Sequence, residues 1–174
     1  LITEADLAGY KPRERLAVQG RYRDFDVFGP PPPSSGGTCL VEMLNILEQF
    51  NLRQRDRFSA ETLHLMAEAM RRAYCDRARY LADPDFVKIP PHLTEKDYAR
   101  ELAAGISKLQ ATPSEQLAPE IAIRNEGHST THFSVVDKDG CAVSNTYTLE
   151  ESYGSRVVVR GGGFLLNNET GDFN

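Results

Sequence analysis

The stretch GHSTTHFSVVDKDG, from Gly127 to Gly140, places Ser129, Thr130, Thr131 and His132 where an irregular segment turns into a strand. Residues of these types raise the chemistry of a hydroxyl nucleophile. The competing reading is structural, because threonine is a good strand former and a Thr-rich hairpin needs no chemistry. His128 and His132 do not read as a metal pair: positions i and i+4 converge on a helix and not along a strand.

Spacing decides which hydroxyls meet. Thr130 to Asp137 and Cys141 to Thr148 both alternate, and Lys138, Asp139 and Gly140 lie between them. A three-residue loop ending in Gly is a favoured hairpin connection, since Gly accepts the left-handed conformation the turn requires. Pairing Asp137 with Cys141 then puts Val136 opposite Ala142, Ser134 opposite Ser144 and Thr130 opposite Thr148. Directly opposed residues have Cβ atoms about 4.5–5.5 Å apart, so the Thr130 and Thr148 hydroxyls are expected to touch. One face of the hairpin carries Thr130, His132, Ser134, Ser144, Thr146 and Thr148. The other carries Thr131, Phe133, Val135, Val143, Asn145 and Tyr147 and is expected to be buried. A bulge would slip the register and separate the pair.

The elements that position this hairpin are read from periodicity and caps. Thr3 is an N-cap, with Glu4 and Asp6 in the first helical turn. Arg21 to Gly29 alternates as a strand, and PPPPSSGG forbids regular structure over 30–37. Ser34, Ser35, Gly36 and Gly37 make either a tight turn or an anion cradle at a helix start, and no P-loop Lys follows. TCLVEMLNILEQF is a helix with Val41, Leu44 and Leu47 on its inner stripe. Ser59 caps the longest helix, whose core stripe is predicted to be Leu63, Met66, Ala67, Met70 and Tyr74, with His64 on the surface pairing with Glu68. The arginines of RRAYCDRARY are assigned to a solvated face. LTEKDYARELAAG is a short helix with Thr94 as its N-cap, and 106–126 is an exposed, mobile linker. Helices followed by strands indicate an α+β or layered architecture.

Composition excludes several functions. A 40% hydrophobic and 26% charged chain of 174 residues with a formal charge of −5 is ordinary for a globular protein and a poor nucleic-acid partner. No apolar run reaches the ~18 residues of a membrane span. Cys39, Cys75 and Cys141 lack metal or redox spacing and are expected to be small buried residues. The chain opens within a helical pattern and closes just after a strand-like run, which reads as a piece of a longer protein.

Taken together, TTHFSVVDKDG, TYTL, SYGS, GFLLNNE and GDFN, with the upstream PPPSSGG, MAEAMRRAY and DPDFV, resemble the γ-glutamyltransferase (glutathione hydrolase) family of N-terminal nucleophile hydrolases. The resemblance runs over essentially the whole chain. It implies a layered αββα sandwich, present only in part, and a proenzyme that cuts itself between Ser129 and Thr130. Residues 1–129, with the linker from about 106, would then be the end of the large subunit, and 130–174 the start of the small one, in one incomplete domain.

The resemblance further implies that the Thr130 hydroxyl takes a γ-glutamyl group from glutathione or a related amide, and that water, an amino acid or a peptide amine accepts it. Thr148 matches the family threonine that hydrogen-bonds the nucleophile. Glu169 and Asp172 match positions that hold the substrate α-ammonium, a role suited to carboxylates. Glu150 stands where many members have Asn, and a third carboxylate there bears on substrate preference. No cofactor or metal is implied. The family's arginine clamp would lie upstream of Leu1 and its oxyanion donors beyond Asn174, so this chain alone is expected to be inactive. A periplasmic or extracellular location is expected by analogy with relatives. A Thr-dependent acylase for other amides and a non-catalytic scaffold protein are the alternatives.

Overall fold

A computed structural model describes residues 2–120 and 130–169. The chain forms two units, one of residues 14–122 and one combining 1–13 with 123–174.

In the larger unit, β1 (Val18–Tyr22) and β2 (Phe25–Gly29) form an antiparallel hairpin, followed by α2 (Gly36–Leu47), α3 (Ala60–Tyr80), α4 (Lys96–Ala104) and the single turn α5 (Ser114–Leu117). The one strand expected over 21–29 is therefore two. Arg23 takes the left-handed conformation at φ 56°, which lets the chain reverse at Arg23–Asp24 without a glycine. Gly36 and Gly37 open α2 and do not form a separate cradle. A Cβ on Gly37 would lie 2.3 Å from the Pro30 carbonyl oxygen and 2.8 Å from the Gly29 carbonyl carbon, so the glycine lets the helix start lie against the β2 exit.

The core joins Ile46 of α2, Leu65 and Ala69 of α3, Ala99 and Ala103 of α4, and Ile106, with Leu47, Phe50, Leu52 and Leu102 packed around them. Ser59 caps α3, accepting from the Thr62 N–H. Its predicted core stripe is wrong: Leu63, Met66, Met70 and Tyr74 are 41–51% exposed. The buried face carries Thr62, Leu65, Glu68, Ala69, Arg72, Ala73, Cys75 and Asp76. Small alanines let α2 and α4 approach this face, and Glu68 and Arg72 enter it as an ion pair. On α2 the buried stripe likewise takes in Glu42 and Asn45 beside Val41 and Ile46, while Leu44 and Leu47 are half-buried. Thr94 closes a 3₁₀ turn, and Glu95 occupies the N-cap of α4.

Two buried ionic groups result. Arg72, expected on a solvated face, donates to Glu68 Oε2 at 2.6 Å and to the carbonyls of Leu102 and Gly105. Burial opposes ionisation of Glu68, yet donors from Thr112 and Arg72 hold its pKa down to about 2. Glu68 is thus occupied, and His64 instead donates from Nε2 to the Ser107 carbonyl at 2.7 Å. The second group is Glu42 and Asp76, only 1% and 2% exposed. Burial, then the Asp76 charge and hydrogen bond, push Glu42 up to about 9, while the Tyr98 hydroxyl donates to Asp76 Oδ2 at 2.6 Å.

The linker expected from about 106 is no free tether as far as Glu120. Ile106 is in the core, and Thr112, Ser114, Leu117 and Glu120 all bond to α3 side chains. Cys39 and Cys75 are buried and free, and burial raises their thiol pKa, to about 11 for Cys39. Cys141 departs from expectation and is exposed at the hairpin turn.

The smaller unit holds α1 (Glu4–Gly9), closed by a Thr3–Asp6 capping box, and an antiparallel hairpin of β3 (Thr130–Val136) and β4 (Ala142–Thr148). Among the described residues no helix is long and apolar enough to cross a membrane.

Candidate active site

Asp137 builds the turn that fixes the site. Its N–H donates to the Cys141 carbonyl at 3.0 Å, and its Oδ1 accepts from the N–H groups of Asp139 and Cys141, each at 2.9 Å. Gly140 has φ 84°, the left-handed conformation required at the end of this loop. From there the ladder runs without a bulge: Ser134 faces Ser144, His132 faces Thr146, and Thr130 faces Thr148. Thr130, the first residue of β3, comes within 3.2 Å of Thr148 through their hydroxyl oxygens.

Thr148 Oγ1 also accepts from the Glu150 N–H at 2.9 Å. Glu150 itself takes the left-handed region, at φ 71°. The Glu150 carboxylate has one buried oxygen, Oε2, with no hydrogen-bond partner. Beyond it the chain loops out and returns. Ser155 donates twice to the Leu166 carbonyl, Val158 bridges Leu165, and the Asn168 N–H donates to the Leu149 carbonyl at 3.2 Å. Asn168 Oδ1 in turn accepts from the Glu151 N–H. Glu169 is thereby carried back beside the end of β4. Ser129, His128 and Asp172 lie outside the described residues.

Sequence reasoning placed His132 on this face but considered it only as a metal ligand. Its Nδ1 lies 2.8 Å from Thr146 Oγ1, and its Nε2 lies 3.3 Å and 3.2 Å from the Ser134 and Ser144 hydroxyls. The register arithmetic already contained this cluster. Among the described residues no group of three His, Cys, Asp or Glu is arranged to hold a metal ion.

The apolar face departs from expectation. Phe133, Val135, Val143 and Tyr147 are 48–62% exposed, because a two-stranded ribbon supplies no second layer of its own.

The sequence model described as Gamma-glutamyltranspeptidase matches residues 1–174. The chain belongs to that family. It is 48% identical to the glutathione hydrolase proenzyme of Escherichia coli (strain K12) over 174 residues, which is 99% of this chain and 30% of the relative. The chain therefore spans about a third of the length of the curated relatives it matches. Among solved structures, the gamma-glutamyltranspeptidase of Helicobacter pylori superposes with a TM-score of 0.66 at 39% identity, covering 74% of this chain and 37% of the other. A cephalosporin acylase from Bacillus halodurans gives a TM-score of 0.72 at 25% identity, over 97% of this chain and 29% of the other. The fold class is that of the N-terminal nucleophile hydrolases in this family, mixed α and β, of which the chain carries a part.

Proposed function

We propose that the full-length protein is a γ-glutamyl acyl-transfer enzyme that matures by cutting itself between Ser129 and Thr130. The supporting observation is the Thr130–Thr148 hydroxyl contact at the head of a strand, in a chain of the gamma-glutamyltranspeptidase family. In the proenzyme the Thr130 hydroxyl adds to the Ser129 carbonyl, the peptide nitrogen leaves as the Thr130 amine, and water hydrolyses the resulting ester. The freed α-amine then serves as base for the same hydroxyl.

In turnover Thr130 Oγ1 attacks the γ-carbonyl of glutathione or a related γ-glutamyl amide. The departing amine takes a proton, and an ester on Thr130 remains. Water resolves that ester to glutamate, while an amino acid or peptide amine forms a new γ-glutamyl bond. Thr148 orients the nucleophile. Glu150, Glu169 and Asp172 supply carboxylates for the substrate α-ammonium. The two products of the cut form a large-subunit and small-subunit heterodimer, and the enzyme works in the periplasm or outside the cell.

The cephalosporin acylase likeness favours a second reading, a Thr130-dependent acylase for other amides. A non-catalytic scaffold that keeps the fold is the third. Expression of the full-length protein separates them. Self-cleavage yields two pieces whose smaller one begins with Thr130, Thr130→Ala leaves one piece, and release of anilide from a γ-glutamyl anilide identifies the donor. A single uncut chain with wild-type Thr130 would favour the scaffold.

A further inference from the structure

The segment that leads toward Thr130 lies along α3 in register with it. His64 holds Ser107, Glu68 holds Thr112, Arg71 holds Ser114, Cys75 and Arg79 both hold Leu117, and Arg79 holds Glu120. Both sets of positions advance together, so the segment runs in the direction of the helix for about 22 Å, at 1.5 Å per helical residue.

The fastening is strongest at its middle. Thr112 donates from its N–H to Glu68 Oε1 at 3.1 Å and from its hydroxyl to Oε2 at 2.6 Å, and Arg72 closes the group with bonds to Glu68, Thr112 and Gly105. Glu68 and Arg72 are 1% and 4% exposed. Charge-assisted bonds in such a shielded place are short and strong.

We infer that α3 is a fixed post for this segment: the Glu68–Arg72–Thr112 clasp and the Arg79–Glu120 pair position residues 107–120 before self-cleavage and keep them in place after it. The inference rests on the proposed cut at Ser129–Thr130. The bonds named above all lie at or before Glu120, so breaking the Ser129–Thr130 peptide bond removes none of them. Nine residues, 121–129, separate Glu120 from Thr130. The new carboxyl end at Ser129 is then confined to within about 30–32 Å of Glu120, the reach of nine fully extended residues. Glu68, Arg72 and Thr112 are positioning residues, which act on the location of the cut end and not on the reacting atoms.

Hydrogen exchange on the full-length protein tests this, comparing cleaved wild type with uncut Thr130→Ala. Protection of amides in 107–120 is expected to be the same in both. Thr112→Val, which keeps Glu68 paired with Arg71 and Arg72, is expected to speed exchange there roughly threefold to tenfold, the worth of one hydrogen bond. Thr112→Ser is expected to restore it. Exchange of 107–120 at the rate of an unstructured peptide in cleaved wild type, with protection in uncut Thr130→Ala, overturns the inference while leaving the cleavage reading intact. Equal exchange in Thr112→Val and wild type overturns it as well. Wild-type protein that remains one chain removes the cleavage reading, and the inference with it.

Discussion

Glu42 on α2 and Asp76 on α3 meet as two carboxyl groups in the interior, with the Tyr98 hydroxyl as donor to Asp76 and one Glu42 oxygen, Oε1, without a partner. Burial and the neighbouring charge keep Glu42 protonated up to about pH 9, whereas an ordinary glutamate titrates near 4.5. A raised folded-state pKa makes stability greatest below the unfolded value and erodes it as pH rises from there to the folded one, here between about 4.5 and about 9. Glu42→Gln keeps a donor for Asp76 and has no proton to lose. It is expected to raise the melting temperature at pH 7–8, by roughly 1–3 kcal/mol in stability, and to leave it unchanged near pH 4. Equal effects at both pH values would remove the shared proton from the account.

Thr148→Val deletes the oxygen that Thr130 contacts at 3.2 Å and the acceptor of the Glu150 N–H. In the full-length protein, self-cleavage and anilide release are expected to slow about tenfold or more, the equivalent of one lost hydrogen bond near 1.4 kcal/mol. Thr148→Ser keeps the hydroxyl and is expected to recover most of the rate. Time courses on gels, with fold checked by melting, decide it.

Glu150 carries a longer side chain than its left-handed backbone favours. Asn tolerates that conformation well, so Glu150→Asn is expected to keep the Glu150–Thr148 bond, and with it self-cleavage, while relieving the unpartnered oxygen. What should move is the ratio of kcat/KM for γ-glutamyl against non-glutamyl amides. An unchanged ratio would take this carboxylate out of substrate recognition.

Gly37→Ala puts a methyl group 2.3 Å from the Pro30 carbonyl oxygen, where backbone has to shift. Overpacking of this kind costs about 1–3 kcal/mol, measurable as a lower urea midpoint for the full-length protein. Gly9→Ala meets nothing within 4 Å and serves as the control.

Local chemistry was legible in the sequence and long-range pairing was not. Caps at Thr3 and Ser59 and the turn at Lys138–Gly140 follow from a few neighbouring residues, and the hairpin register, hence the Thr130–Thr148 contact, follows from that turn. The inward face of α3 did not follow. The helix has two stripes, and the one with the larger apolar side chains is exposed because Glu68, Arg72 and Asp76 find partners from α2, α4 and the segment beyond it, partners no periodicity reveals. The same partners turned an apparent linker into a fastened segment. At the site, the Thr130 face was readable, while the left-handed Glu150 that ties down Thr148 carries no signature, since Glu is rare in that conformation.

The loop of Lys138, Asp139 and Gly140 acts as a ruler for the Thr130–Thr148 pair eight residues away. Strand side chains alternate, so a one-residue slip in the pairing that this loop sets would turn every side chain of one strand to the other face. An aromatic ring such as that of Tyr147 would then take the seat of the Thr148 hydroxyl, and the defect would appear as lost chemistry in a protein whose helical unit stays folded.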